Sequence, residues 1–94
     1  MENIKNYVLS FEYNEGVLDS DNPPLAEDFD PVLTGFEQSC PEDTIEPGVY
    51  QESNGIYFST NNLDAVLPIL KDKLNEYGRI SMETITVNED SDVE

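Results

Sequence analysis

Apolar and polar residues alternate along the first part of the chain. In residues 6–13, NYVLSFEY, every second side chain falls on an apolar or aromatic face. The residues of this face are Tyr7, Leu9, Phe11 and Tyr13. A period of two residues is typical of a β-strand with one buried face. We therefore predict a strand over residues 6–13.

A second alternating segment, residues 49–60, contains the dipeptide Asn54-Gly55. This dipeptide favours a two-residue hairpin loop, because a type I′ turn needs positive φ at both central positions. Such a loop pairs Ser53 with Ile56, Gln51 with Phe58 and Val49 with Thr60. We expect Val49, Ile56 and Phe58 to share the face that packs on the core.

Residues 62–77, NLDAVLPILKDKLNEY, have the pattern of an amphipathic helix. Their apolar residues stand at 63, 66, 67, 70, 74 and 77, which places them on one stripe of a helix. Asn61 or Asn62 can cap its start, and Gly78 stands where a left-handed residue ends a helix. Pro68 lies inside the pattern, so we expect it to kink the helix or delay its regular start.

The last segment, residues 80–87, ISMETITV, predicts another strand. Ile80 and Met82 have one parity, whereas Ile85 and Val87 have the other. This change predicts a β-bulge or a strand buried on both faces. Residues 88–94 then form an acidic C-terminal tail.

The segment from 14 to 47 is too long for a structureless loop in a small domain. Asn22-Pro23 has the form of a helix start, and Leu25 and Phe29 form an apolar pair four residues apart. Because Pro31 disfavours helical backbone at the preceding residue, we expect a short helix at about 23–29, followed by an irregular strand at 32–38.

These elements predict one α+β domain over residues 1–94. It is a small antiparallel sheet of four to five strands packed against one amphipathic helix at about 62–77, with a short helix at about 23–29. A chain of 94 residues is large enough to bury roughly 60–65% of its unfolded surface.

Charge is the feature that sets this sequence apart. The chain has 21 acidic and four basic residues, no histidine, and a formal net charge of −17. No basic residue occurs between Lys5 and Lys71, a span that holds 13 Asp and Glu residues. We expect such a protein to be repelled by nucleic acid and anionic membranes and to bind basic surfaces or cations.

The residue types needed for most catalysis are absent. Without histidine, the usual general base and the commonest metal ligand are missing. Cys40 lies before Pro41 among acids, which raise a thiol pKa, so we expect a structural cysteine. No phosphate-binding glycine loop occurs. We therefore predict a non-enzyme with no catalytic, cofactor-binding or metal-binding residues.

Further features of the sequence favour a cytoplasmic protein. A single cysteine fits a reducing compartment, and no apolar run reaches the roughly 18 residues of a membrane span. The N-terminal MENIKNYVLS lacks the basic and apolar regions of a signal peptide. If a bacteriophage encodes the chain, the compartment is the host cell cytoplasm.

A calcium site is one alternative that the acidic residues raise. Asp19 and Asp21, and Asp28 and Asp30, resemble the start of a calcium-binding loop. Neither run has the central glycine and the terminal glutamate at the required offsets. Loose association with cations in solution is therefore the better expectation.

A second interpretation is that the carboxylates imitate the phosphates of DNA. About 10 base pairs carry about 20 phosphates over about 34 Å, and a domain of this length has a diameter of roughly 30 Å. Alternate strand residues lie about 6.6 Å apart and helix neighbours about 6 Å apart, close to phosphate separations along one strand. A rigid display of these acids therefore suits the groove of a DNA-binding protein.

In size, charge and lack of His and Trp, the chain resembles the small acidic DNA-mimic inhibitors of bacteriophages. These include anti-restriction proteins, the uracil-DNA glycosylase inhibitor and several anti-CRISPR proteins, and the length and α+β order are most similar to anti-restriction nuclease proteins of the Arn type. The expected partner-binding acids are Glu12, Glu15, Asp19, Asp21, Glu27, Asp28, Asp30, Glu37, Glu42, Asp43 and Glu46. The resemblance implies a basic nuclease or nucleoid-associated protein as target, no direct binding of nucleic acid, and often a homodimer.

Two other interpretations remain open. The acids can form a coat that only keeps the protein in solution, although such a coat normally mixes both signs of charge. Alternatively, the protein is an immunity or antitoxin protein that blocks the active site of a toxin. That role predicts binding through a few aromatic anchors, such as Tyr50 or Tyr57.

Overall fold

The computed structural model describes residues 4–21 and 24–90. The strands are β1 (Lys5–Tyr13), β2 (Tyr50–Glu52), β3 (Gly55–Thr60) and β4 (Ile80–Glu89). A short 3₁₀ turn (Ala26–Phe29) leads into helix α1 (Asp30–Ser39), and helix α2 (Leu63–Tyr77) precedes β4. The strands form one antiparallel sheet in the order β2-β3-β1-β4. The predicted α+β class is confirmed.

The core lies between one face of the sheet and the two helices. β1 contributes Leu9 and Phe11, and β3 contributes Ile56 and Phe58, which alternate with more exposed neighbours as the sequence predicts. Val49 is half-buried and packs on this core, so the predicted core face of the hairpin is confirmed. The helices supply the opposite side, with Phe29, Leu33, Phe36, Val66, Leu70 and Leu74 buried.

The bulge predicted for the last strand is present in the pairing of β4 with β1. Ser10 lies opposite Thr86 whereas Glu12 lies opposite Ser81, so residues 82–85 stand against Phe11 alone. The Thr84 hydroxyl fills this bulge: it accepts the Glu12 N–H at 2.9 Å and donates to the Ser81 carbonyl at 2.7 Å. β4 continues to Glu89, and residues 91–94 of the predicted tail lie outside the described residues.

The predicted hairpin register is wrong by two residues on β2, because Ile56 lies opposite Gln51 and not opposite Ser53. Glu52 pairs with Gly55 and Gln51 with Ile56, so the two loop residues are Ser53 and Asn54, and Ser53 takes a φ of 53°. Asn54 therefore takes the second loop position instead of the first, and it also makes hydrogen bonds to β1. Its carbonyl accepts the Phe11 N–H at 3.0 Å, and its side-chain amide donates to the Phe11 carbonyl at 3.1 Å.

The strand predicted at 32–38 is wrong, since these residues lie in α1. Pro31 occupies the first turn of this helix, where the missing N–H of proline has no helical partner to lose. Leu33 and Phe36 are buried on the inner side of the helix. The short helix predicted at 23–29 is a 3₁₀ turn at Ala26–Phe29, and its predicted start at residues 22 and 23 lies outside the described residues.

Helix α2 agrees with its predicted bounds to within one residue. Asn62 is its N-cap residue, without a side-chain hydrogen bond. The Thr60 hydroxyl instead accepts the Asn62 N–H at 3.0 Å. Gly78 ends the helix with a φ of 81°, a left-handed conformation that glycine adopts without steric cost. Pro68 lies within the helix, which extends on both sides of it.

The molecule is longer than a sphere of its mass. Its radius of gyration is 13.3 Å and its principal extents are 44 × 29 × 22 Å, compared with the diameter of roughly 30 Å expected from length alone. Within the described residues, no helix is both long and apolar enough to span a membrane.

Candidate partner-binding surface

The sheet order divides the molecule into two halves that differ in charge. β2 and β3 form one side of the sheet, and the 3₁₀ turn that precedes α1 contacts β2. β1 and β4 form the other side, and α2 contacts β4. We name residues 24–60 the acidic half and residues 4–21 with 61–90 the mixed half. The two helices meet at the boundary between them.

The acidic half contains eight acids and no basic residue. Its acids are Glu27, Asp28, Asp30, Glu37, Glu42, Asp43, Glu46 and Glu52. All four basic residues of the chain, Lys5, Lys71, Lys73 and Arg79, belong to the mixed half. The base-free span of the sequence runs from residue 6 to residue 70. The base-free region of the fold is smaller, because β1 and the start of α2 lie in the mixed half, which carries the positive charges.

Two of the lysines lie close to other segments of the protein. The Lys5 ammonium group lies 4.0 Å from the Glu89 carboxylate at the end of β4. The half-buried Lys73 lies against Gly35 of α1: a Cβ placed on that glycine would be 3.6–3.8 Å from the end of the lysine side chain. The absence of a side chain at Gly35 therefore leaves room for Lys73 at the boundary of the halves.

The eleven acids predicted to bind a partner fall into both halves. Four of them, Glu12, Glu15, Asp19 and Asp21, are exposed in the mixed half, on β1 and the loop after it. The other seven are in the acidic half, where five are exposed: Glu27, Asp30, Glu42, Asp43 and Glu46. The remaining two, Asp28 and Glu37, are half-buried and serve as internal hydrogen-bond acceptors.

Asp28 closes the 3₁₀ turn that leads into α1. Its Oδ2 atom accepts the Leu25 N–H at 3.0 Å, and its own N–H donates to the Leu25 carbonyl at 3.0 Å. Its carboxylate also lies near two tyrosines. Burial, the neighbouring Tyr77 and Asp28 raise the pKa of Tyr13. Burial and Asp28 raise the pKa of Tyr77, and the adjacent Arg79 opposes this shift.

Glu37 ties α1 to the segment that precedes β2. Its Oε2 atom accepts the Val49 N–H at 3.0 Å, so the backbone of residue 49 is held by a charged acceptor across the groove between helix and strand. Nearby, burial and the Glu37 charge raise the pKa of the Cys40 thiol. This is the direction that the sequence predicts, and it disfavours the reactive thiolate.

Hydrogen bonds to backbone atoms of residues 43, 44 and 46 hold the acidic loop of residues 40–49 against the end of β3. The Glu46 N–H donates to the Ser59 carbonyl at 3.0 Å, and the Asn61 side-chain amide donates to the Asp43 carbonyl at 2.9 Å. The buried Thr60 hydroxyl donates to the Thr44 carbonyl. Glu42, Asp43 and Glu46 therefore project from a fixed backbone.

Tyr50 and Tyr57 stack on the open face of the sheet, opposite the helices. Their rings are 5.0 Å apart and inclined by 11°, and Tyr57 in turn lies opposite Val8 of β1. Tyr50 keeps 52% of its surface exposed. It borders two depressions, one of about 410 Å³ lined also by Glu27 and Asp30, and one of about 200 Å³ lined also by Glu46 and Asp90.

One exposed acid of the acidic half is not among the eleven acids predicted to bind a partner. Glu52 is exposed on β2, on the same sheet face as Tyr50 and opposite Gly55. The sequence alone could have added Glu52 to the predicted acids, because it belongs to the same base-free span. In the described part of the chain, no three His, Cys, Asp or Glu side chains are grouped as a metal site.

Comparison with known proteins returns no relative. No protein family matches the chain, and no curated protein or solved structure is significantly similar to it.

Proposed function

We propose that this protein is a non-enzymatic DNA mimic of the phage anti-restriction or anti-defence type. It binds the basic DNA-binding surface of a host nuclease or nucleoid-associated protein and excludes DNA from it. The carboxylates of the acidic half take the places of phosphates. The protein acts in the cytoplasm of the host cell, and pairing of two copies would lengthen the mimicked surface.

The observation that carries this proposal is the base-free acidic half with its fixed backbone. A flexible acidic tail loses conformational entropy when it binds, whereas an ordered surface has lost that entropy on folding. The hydrogen bonds of Glu37, Asp43 and Glu46 to neighbouring segments supply this order. Lysine and arginine side chains of a partner then meet ordered acids in a segment that contains no basic residue.

The dimensions of the molecule support a DNA mimic that carries somewhat fewer charges per unit length than duplex DNA does. Its longest extent is 44 Å, a length over which duplex DNA carries about 26 phosphates. The chain has 21 acidic residues. Because the charge is somewhat below that of DNA, we expect the affinity for a basic partner to depend on shape as well as on charge.

A competition experiment tests this function. A labelled duplex of about 30 base pairs is bound to purified nucleoid-associated proteins and restriction endonucleases at rising salt, and the protein is added. We expect DNA release from at least one of them, with an inhibition constant that weakens as salt rises. Polyglutamate at the same carboxylate concentration is the control. Release no better than that given by polyglutamate, across the whole set, would reject the proposal.

A second candidate is an immunity or antitoxin protein, which the exposed Tyr50 favours. Aromatic residues with partly exposed rings often act as anchors in tight protein interfaces. This role predicts a single toxin partner whose binding is lost in Tyr50→Ala and is nearly insensitive to salt. Neutralising Glu27 and Asp30 would then have little effect, the opposite of the result expected for a DNA mimic.

A further inference from the structure

The groove between the start of α1 and β2 combines three kinds of surface. Glu27 and Asp30 place two exposed carboxylates on its helical side. Leu33 and Val49 add apolar surface to its lining. Tyr50, which is 52% exposed, also lines the groove. Its volume of about 410 Å³ is ample for one long side chain.

From this combination we infer that the groove is a docking site for an arginine side chain of the basic partner. The inference rests on the proposed function and adds a specific anchor to its general charge field. An arginine has an aliphatic stem that suits the surfaces of Leu33 and Val49. Its planar guanidinium forms paired hydrogen bonds with carboxylates and stacks on aromatic rings. Lysine offers a point charge without either geometry.

The structure of the sheet edge disfavours two other occupants of this groove, an added β-strand and a second copy of this chain. β2 has only three residues, and Pro47 and Gly48 interrupt its alignment with β3 between Ile45 and Tyr50. Short strands, proline and acidic side chains all discourage pairing with an added strand. The Val49 N–H is already used by Glu37. A second copy of this chain has a net charge of −17 and only four basic residues to offer the carboxylates of this groove, so a pairing of two copies would use another surface.

The test uses small probes on the intact protein, followed by amide shifts in NMR spectra. The probes are N-acetyl-arginine methylamide, its lysine counterpart, and its citrulline counterpart, which has the same shape as arginine without the charge. We expect arginine to shift the amides of Leu33, Tyr50 and Gln51 with saturation. Lysine should bind more weakly, and citrulline should not bind. Unsaturated shifts spread over all exposed acids would overturn the inference.

Matched variants separate the groove from the overall charge. Glu27→Gln with Asp30→Asn should weaken arginine binding about five-fold, as expected for loss of a charge-assisted pair. Glu42→Gln with Asp43→Asn removes the same charge from the same half and should weaken it less than about two-fold. Tyr50→Leu keeps an apolar wall and should remove the preference for arginine over lysine. Equal losses of arginine binding in the two double variants would contradict the inference that arginine docks in this groove.

The outcomes also distinguish this inference from the proposed function. If arginine binds without preference for the groove while the protein still displaces DNA, the proposed DNA mimicry is supported and the inferred docking site is wrong. If arginine binds in the groove but no DNA-binding protein is inhibited, the inferred docking site is supported and the proposed function is rejected.

Discussion

The acidic half and the mixed half share one sheet and one core but present different surfaces. In the acidic half, residues 24–60 carry eight acids and no base, and two of these acids, Asp28 and Glu37, hold its own backbone in place. In the mixed half, four bases lie among the acids, and Lys5 is already close to Glu89. Net charge therefore says less about binding than the distribution of charge over the fold.

The chain builds this difference from its order of segments. The first strand and the last two elements form the mixed half, and the middle of the chain forms the acidic half. β3 pairs with β1 along the boundary, from Lys5 with Thr60 to Ser10 with Gly55. The stability of the acidic surface therefore depends on contacts with the half that does not present it.

The largest expected effect comes from Phe36, which is fully buried in α1 and meets the edge of the Phe58 ring at 5.8 Å between centroids. Phe36→Ala should lower the free energy of unfolding by about 3–5 kcal/mol. Leu74→Ala in α2, its counterpart in the mixed half, should cost about 2–5 kcal/mol. Urea unfolding followed by circular dichroism measures both. Because one core joins the halves, each variant should unfold in one transition, and two separate transitions would show that the halves are independent.

Glu37 tests the order of the acidic half directly. Glu37→Ala removes the acceptor of the Val49 N–H and should cost about 1–3 kcal/mol, since a half-buried donor loses a charged partner. Amide exchange at Val49 should accelerate, together with that of the loop of residues 40–49. Glu42→Ala, an exposed acid of the same loop, is the matched control. Unchanged exchange at Val49 in Glu37→Ala would mean that the loop is ordered without this bond.

Several parts of the fold were predictable because they depend on local patterns. The alternation in β1, the apolar stripe and Gly78 of α2, and the parity change of β4 all predicted elements that the structure contains. The error at α1 came from taking Pro31 as the end of a helix, whereas it lies in the first turn of one. The error at the hairpin was the position of Asn54, which is the second loop residue and not the first.

The division into two halves was not accessible to sequence reasoning. It depends on the strand order β2-β3-β1-β4, and strand order is set by contacts between distant segments. The internal roles of Asp28 and Glu37 likewise depend on Leu25 and Val49 being within hydrogen-bond distance. Charge counting alone treats these two acids as equivalent to the exposed ones.

Gly55 lies on the boundary of the halves and permits their close approach. A Cβ at this position would lie 3.1 Å from the Cγ2 atom of Val8, so Gly55→Ala should cost about 1 kcal/mol as the two strands move apart. Gly16→Ala is not a suitable control because its φ is 85°. Val8→Ala combined with Gly55→Ala should recover part of the loss. A stability equal to that of the unchanged protein in Gly55→Ala alone would show that the boundary is looser than the structure indicates.

The smallest expected effect concerns the tyrosines beside Asp28. Burial raises the pKa of Tyr13 and Tyr77 above 10.0, so the folded protein binds these protons more tightly than the unfolded chain does. Their contribution to stability is complete below pH 10.0 and decreases as the pH rises above it. Asp28→Asn keeps an acceptor for Leu25 but removes the charge, so the alkaline decrease should be smaller. Chemical unfolding at several alkaline pH values measures this, and an unchanged decrease would exclude a role for Asp28.

The most direct test of the account compares equal charge changes in the two halves. Glu42→Gln, Glu46→Gln and Glu52→Gln together neutralise exposed acids of the acidic half, and Asp72→Asn, Glu76→Gln and Glu83→Gln do the same in the mixed half. The readout is release of duplex DNA from a DNA-binding protein that the unchanged chain inhibits. The acidic-half variant should lose about ten-fold in inhibition, as expected for several lost charge pairs, and the mixed-half variant less than about two-fold. Equal losses would contradict the claim that the acidic half is the binding surface.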